Sequence, residues 1–353
     1  MKKVLYIGNN YPLNDFGGRQ SLSKLNHDVL KKIFKRNFFS LKIAKKKPNF
    51  FKSFFGYIDG INEEYYEEIS KKIHSNNIDF IFIDGSNLGL IAKKVKQDFP
   101  HVKIYTFFHN IETLFFLWSL KSARSIKSFF VLIINYLAER KSSKFSDFLI
   151  CLSNRDSENL FMLFKKKASY ITPICIVDEF RKYKNIKSEN SLLFVGSKFY
   201  GNIKGLDWFI EKVMRHIKFQ LIVVGRGMEE FRHKYNKFSN VTIVGTSSDL
   251  NSFYSNCVAV VAPIFDGSGM KTKVAEALMF GKEIYGTPEA FTGYEKINEL
   301  KNFLCINDKD FISKINLINT SNISLFNQKY RDLYTAHFSM DAHTKRFLEI
   351  FNE

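Results

Sequence analysis

The sequence predicts two α/β domains, each a parallel sheet covered by helices, and three observations lead there. Short apolar runs rich in Val, Ile, Leu and Phe alternate with helical patterns along the whole chain, as buried strands and their crossover helices do. The alternation breaks over the polar, lysine-rich segment Arg181–Asn190 and then restarts, so that segment reads as a linker. The chain has 353 residues, of which 45% are apolar, enough to fill two ordinary cores.

In the first half, strands are expected at Val4–Gly8, Phe80–Asp84, Lys103–Phe108, Phe148–Leu152 and Tyr170–Ile176. Helical patterns fall between them at Ser21–Ile33, Leu88–Gln97, a long segment ending near Lys144, and Asp156–Phe164. The second half repeats the scheme with strands at Leu192–Val195, Gln220–Val224, Val241–Val244, Val258–Pro263 and Glu283–Tyr285. Its helices are expected at Ile203–Ile217, Met228–Tyr235, Asp249–Ser255 and Thr272–Phe280, with Phe311–Ile318 and Leu325–Phe351 closing the chain. The expectation is two Rossmann-like domains facing each other across a cleft, residues 1–180 and 190–320.

Composition narrows the function classes. The apolar run after Met1-Lys2-Lys3 stops at Gly8-Asn9-Asn10, too short for a signal peptide. No run approaches the roughly 18 apolar residues of a membrane-spanning helix. Cys151, Cys175, Cys257 and Cys305 are scattered without a C-x-x-C pair, which argues for reduced core thiols in a cytoplasmic compartment. The net charge of +18 calls for an acidic partner unless it is compositional drift. Lysines mix with phenylalanines over Lys31–Phe55, and aromatics with cations over Leu114–Leu137. Such segments suit an anionic membrane surface better than nucleic acid.

The stretch Ile264-Phe265-Asp266-Gly267-Ser268-Gly269-Met270-Lys271-Thr272-Lys273-Val274-Ala275-Glu276 follows a buried strand and enters a helix. Gly267 and Gly269 let backbone amides approach a ligand, and a helix N-terminus offers free N–H groups and a positive dipole end, which suits a diphosphate. Lys271 and Lys273 are expected to add mobile positive charge, and Glu276 to reach a ribose. A plain glycine turn beside solvated lysines is the alternative.

This segment resembles the donor site of GT-B glycosyltransferases of family 4. The neighbouring residues agree in order: Phe194-Val195-Gly196-Ser197 with Asn202 and Gly205-Leu206-Asp207-Trp208-Phe209, then Val224-Gly225-Arg226-Gly227, Val244-Gly245, Tyr254 and Val260-Val261-Ala262-Pro263. The resemblance implies the GT-B fold and a nucleotide-sugar donor, with UDP-sugar favoured over GDP-sugar. It also implies retention of configuration, with amides and lysines holding the leaving diphosphate in place of a metal and no cofactor. Donor contacts are then expected from Gly17, Gly18, Ser197, Lys204, Gly225, Gly267, Ser268, Gly269, Lys271 and Glu276. Where many members carry a first glutamate eight residues before the second, this chain has Ser268. Where many carry an arginine after the Phe-Val-Gly strand, it has Ser197, with Lys198 or Lys204 as substitutes.

In the first half, Asn14-Asp15-Phe16-Gly17-Gly18-Arg19 follows the first strand. The resemblance places such a loop beside donor phosphates and acceptor; an ordinary strand-to-helix turn is the alternative. His109 ends a strand, where it can meet a donor-sugar hydroxyl and with Lys271 form the expected catalytic pair; a satisfied structural histidine is the alternative. Asp15, Arg19, Asp84 and Glu112 are candidate acceptor contacts. Asp84-Gly85-Ser86 and Ser153-Asn154-Arg155 could equally be helix caps. Asp308-Lys309-Asp310 mimics a metal-binding pair but opens a helix, where aspartates act as caps. The expected activity is sugar transfer to a saccharide or lipid-linked saccharide in surface glycan assembly, at the inner membrane face. A nucleotide-sugar 2-epimerase or an inactive basic binding protein are the rivals. The helix at 325–353 is expected to pack back on the first domain, as the resemblance implies.

Overall fold

The computed structural model describes residues 2–10, 18–44, 46, 49–181, 190–319 and 325–352. The chain divides into two compact units, Met1–Cys175 with His343–Glu353, and Ile176–Ala342.

The first unit runs β1 (Val4–Asn10), α1 (Gly18–Phe34), β2 (Phe38–Ala44), α2 (Phe50–Phe54), α3 (Glu63–Asn76), β3 (Phe80–Asp84), α4 (Gly89–Asp98), β4 (Lys103–Phe108), α5 (Glu112–Ala123), α6 (Ile126–Phe145), β5 (Phe148–Cys151), α7 (Asn154–Phe164) and β6 (Tyr170–Ile171). Its strands pair in the order β2-β1-β3-β4-β5-β6, all parallel. Successive strand side chains point to opposite faces, and both faces are covered. Leu5, Ile7, Ile81, Ile83 and Ile104 join an aliphatic cluster with Ile91 and Val95 of α4. Tyr6 and Phe82 stack at 6.0 Å on the other face. Full burial explains why these strands read as continuous apolar runs.

The second unit holds β7 (Ser191–Val195), α8 (Tyr200–Lys212), β8 (Gln220–Val224), α9 (Arg232–Tyr235), β9 (Val241–Gly245), α10 (Asn251–Asn256), β10 (Ala259–Ala262), α11 (Thr272–Met279), β11 (Glu283–Gly286), α12 (Asp308–Asn316) and α13 (Gln328–His337). The parallel order is β11-β10-β7-β8-β9. The final helix is α14 (Met340–Asn352). Each sheet has one point where connections leave in opposite directions, between β1 and β3 and between β7 and β10. In open α/β sheets, ligands settle beyond the strand ends at such a point.

The long helical segment expected to end near Lys144 is two helices, α5 and α6, and the strand expected at Tyr170–Ile176 is the short β6. Two further features differ from the sequence expectation. Phe38–Ala44, read there as part of a basic surface segment, pairs along its whole length with β1. Leu41 and Ile43 are buried while Ser40, Lys42 and Ala44 are exposed, the half-wet pattern of an edge strand. The closing segment also does not act as one helix. Its first part stays with the second unit, where Arg331 Nη1 donates to the Met279 carbonyl at 2.8 Å and Tyr334 Oη to the Ile176 carbonyl at 3.0 Å. Only His343–Glu353 joins the first unit, held by Phe351 stacked on Phe80 at 5.1 Å and Phe347 against Phe82. Of the expected linker, residues 182–189 lie outside the described residues.

Candidate active site

In the second unit, β10 ends at Ala262, Pro263 follows it, and the chain turns through residues 264–271 into α11. Buried Ile264 and Met270 pin the turn at both ends. Between them Gly267 (φ 138°) and Gly269 (φ 67°) adopt backbone open mainly to glycine. At the end of β8, a Cβ on Gly225 would lie 2.0 Å from the Gly196 carbonyl oxygen, so two strand ends meet where only glycine fits. The expected donor residues Ser197, Lys204, Gly225, Gly267, Ser268, Gly269, Lys271 and Glu276 thus all sit on the loops and helix starts around the β7/β10 switch point.

The lysines differ from the mobile charges expected. Lys271 Nζ donates to the Gly269 carbonyl at 2.8 Å and to Glu289 Oε1 at 2.9 Å, and Tyr294 Oη donates to the Lys271 carbonyl. Lys273 is buried. Its Nζ donates to Asn202 Oδ1 at 2.9 Å and lies 4.7 Å above the Phe194 ring. Burial pushes its pKa down to about 7, against the pull of Glu276 and with the push of Lys271. Asn202 Nδ2 in turn donates to the Ser197 carbonyl at 2.9 Å, so Lys273 ties α11 to the β7–α8 loop. The proposed substitutes for the absent arginine are also paired, Lys204 with Asp266 at 2.5 Å and Lys198 with Glu230 at 2.5 Å.

Glu276 accepts from Tyr254 Oη at 3.0 Å. Burial holds its carboxyl above the usual range, opposed by Tyr254 and Lys273. Ser268 Oγ and Tyr200 Oη are buried oxygens with no hydrogen-bond partner among the described residues, which leaves both free for a ligand. Tyr200 and Glu289 escaped the sequence reading. The usable signal was position, since each lies just beyond the loop or turn that leaves the C-terminal end of a strand of this sheet, Tyr200 after β7 and Glu289 after β11.

In the first unit, Asp15 and Gly17 lie outside the described residues, and Gly18 opens α1. Arg19 Nη1 donates to Glu112 Oε1 at 2.7 Å and Nη2 to Asn87 Oδ1 at 2.9 Å. Glu112 heads α5, and its amide donates to Glu139 Oε1 at 2.9 Å; Thr113 supplies two more bonds to Oε2 and Ser86 a further one to Oε1. Glu139, unnoticed in the sequence, is therefore a cap for α5 supplied by α6. Burial raises its carboxyl to about 7, opposed by the Thr113 and Ser86 bonds and assisted by the Glu112 charge.

Two acceptor expectations are corrected here. Asp84 is completely buried, with Oδ2 taken by Tyr6 Oη at 2.8 Å and Oδ1 shared by Asn26 Nδ2 at 2.8 Å and His109 Nε2 at 3.1 Å. It positions His109 and has no oxygen to offer an acceptor. Glu112 is buried against Arg19, leaving Arg19 as the partly exposed member. Ser153 is a plain cap, accepting from the Asp156 amide, and Asp310 Oδ2 accepts from the Ile306 amide at 2.8 Å at the start of α12.

Because the Asp84 carboxylate can only accept, the proton on His109 Nε2 points at it. His109 Nδ1 is buried with no partner among the described residues, so that nitrogen is left for a ligand. His109→Ala is expected to cut sugar transfer about 10²-fold, in the range of a lost polar contact to the reacting group, while UDP affinity measured by calorimetry stays unchanged. An equal fall in both would make the residue structural.

Two parallel sheets in these orders, matching known structures along the whole chain, define the fold as that of the GT-B glycosyltransferases. Residues 189–318 match the family described as "Glycosyl transferases group 1". No curated protein matches the sequence significantly. Among solved structures, sucrose-phosphate synthase from Thermosynechococcus elongatus is 14% identical, with 99% of this chain and 98% of that one covered at a TM-score of 0.74. HepE of Anabaena in complex with UDP is 12% identical, with 99% of each chain covered and a TM-score of 0.68. WaaG, described as a glycosyltransferase involved in lipopolysaccharide biosynthesis, is 15% identical over 99% of this chain and 95% of that one, at a TM-score of 0.58. Family match and fold together support a glycosyltransferase.

Proposed function

We propose that this protein moves a sugar from a nucleotide-diphosphate sugar, UDP-linked in preference to GDP-linked, onto a saccharide or lipid-linked saccharide. The transfer retains configuration, as the family resemblance implies, needs no metal ion, and serves surface glycan assembly at the inner membrane face. The observation that carries the reading is the Gly267–Lys271 turn, which opens α11 at the switch point of the second sheet. It is the arrangement that presents unpaired amides and a helix dipole to a diphosphate. The structures of HepE with UDP and with UDP-glucose support the choice of donor, and the involvement of WaaG in lipopolysaccharide biosynthesis supports the choice of pathway class.

The chemistry follows from charge. As the bond to the donor sugar breaks, negative charge grows on the leaving phosphate. The amides at the start of α11 and the Lys271 ammonium stabilise it without reorganising. Lys271 and Lys204 wait in ion pairs with Glu289 and Asp266, so a diphosphate replaces carboxylates already beside them instead of meeting bare, hydrated cations. Glu276 holds the ribose, and His109 Nδ1 meets a sugar hydroxyl.

Transfer from UDP-glucose and related donors, assayed by release of UDP with a chelator present, tests the reading. Full activity is expected in the chelator, and Lys271→Ala is expected to lower kcat by about 10²–10³, as loss of one charge-stabilising donor does. Activity lost in the chelator and restored by magnesium would overturn the metal-free account.

A further inference from the structure

We propose that one face of the first unit, built from α2 and the N-terminal half of α6, docks on an anionic phospholipid bilayer. This deepens the peripheral reading above by naming the surface, and it does not depend on the chemistry of transfer.

Two stretches far apart in the sequence carry cations and no acid at all. Residues 29–58 hold nine Lys and Arg, residues 113–138 hold three, and neither holds an Asp or Glu. The fold brings part of each stretch together. Phe50 of α2 meets Phe130 of α6 at 5.4 Å, and Phe54 meets the same ring at 6.1 Å. Around that contact, large apolar side chains face water: Phe51 is 76% exposed, Phe55 69%, Ile126 79% and Phe129 49%. A contiguous apolar face of this kind is uncommon on a free surface and marks a contact site.

What covers it is decided by charge. Lys46, Lys52, Arg124 and Lys127 are exposed beside these residues in sequence, and none forms an ion pair with a described residue. The asymmetry extends to the whole unit. It contains 31 of the 53 Lys and Arg but 17 of the 35 Asp and Glu, so +14 of the net +18 lies there. Beside α2, a recess of about 310 Å³ is lined by Lys46, Asn49, Lys52 and Tyr57 together with Glu63. That carboxylate is already held by Tyr57 and Lys94, so the cations next to the rings, and not the recess, are what an anionic headgroup would meet.

Exposed rings at the acyl boundary with cations at headgroup level are the pattern of an interfacial helix. Single-stranded nucleic acid fits less well. Phe50 packs edge to face with both Phe51 and Phe54, so the rings of α2 are not set parallel as platforms on which successive bases could stack. Ile126 has no ring to offer.

Co-sedimentation tests the surface. The protein is expected to pellet with phosphatidylglycerol-rich vesicles, to stay in solution with phosphatidylcholine alone, and to detach as salt rises. Each lysine at an anionic surface is worth about fivefold in partitioning, so Lys52→Ala with Lys127→Ala should lower binding roughly 25-fold. Phe51→Ser with Phe55→Ser should lower it further at any salt, with the melting temperature unchanged because both rings are already exposed. A Phe51→Trp reporter should shift its emission to the blue on vesicles. Binding by both double variants equal to that of the unaltered protein would overturn the proposal. So would retention by single-stranded DNA without any lipid binding. Loss of sugar transfer to a soluble acceptor, with vesicle binding kept, would strike the transfer reading and leave this surface standing.

Discussion

Glu276→Ala is expected to weaken UDP binding by about 1–3 kcal/mol, a loss of roughly 5- to 150-fold in affinity, since a charged hydrogen bond to a ligand hydroxyl is of that size. The carboxylate is set in place before any ligand arrives. Tyr254 Oη bonds one oxygen, and the Tyr254 ring is stacked on Phe280 at 4.3 Å, so the donor cannot swing away. Burial makes the carboxylate reluctant to ionise, and a ribose hydroxyl donating to it would offset that cost. Glu276→Gln keeps the shape and loses the charge, so it should fall between the parent and the alanine variant. Tyr254→Phe keeps the stack and frees one carboxylate oxygen, and should cost less than either. Calorimetry with UDP distinguishes the series; full affinity in Glu276→Ala would remove the residue from the site.

Much of this second-unit site was legible because its signals are local. Glycines at positive φ after a strand, then a helix start, are written in consecutive residues from Pro263 to Lys273. The fate of each charge was not, because it depends on packing. Lys271 and Lys273 look alike in the sequence, yet one lies on the turn against Glu289 and the other is buried over Phe194. The same limit hid β2. An edge strand with one wet side, flanked by lysines, has the composition of a surface segment, and its pairing partner is more than thirty residues away. Nor did any Pro or Gly mark the place where the closing helices part, since the Phe338-Ser339 step between α13 and α14 carries no breaker. Glu139 left a trace that could have been used. It is the sole acid between Glu112 and Asp147, and a lone glutamate in an apolar helix that is not exposed must have donors waiting for it.

Asp84→Ala should be the most destabilising single change in the first unit, at about 3–5 kcal/mol, the range for removing one partner of a buried charged pair. Five side chains depend on this carboxylate. Tyr6, Asn26, His109 and Ser23 bond it directly, and His343 on α14 reaches it through Asn26 Oδ1 at 2.8 Å. Burial alone would raise its pKa. The charge and hydrogen bond of His109, with bonds from Ser23 and Asn26, outweigh burial and hold it at about 2, below the ordinary 3.8. A carboxylate whose folded value is depressed adds stability that is complete above the unfolded value and disappears as pH falls through the folded one. The window is therefore pH 4 down to pH 2, and the stability at stake is on the order of 2 kcal/mol. Asp84→Asn should flatten that acid limb, because its amide does not titrate. It should also slow transfer without changing UDP affinity, since a neutral amide oxygen holds the His109 Nε2 proton less firmly than the carboxylate does. Denaturant unfolding of parent, Asn and Ala variants at several pH values checks both the size and the window. An alanine variant within about 1 kcal/mol of the parent, where substitutions away from such features normally fall, would mean that the carboxylate does not hold His109 in place.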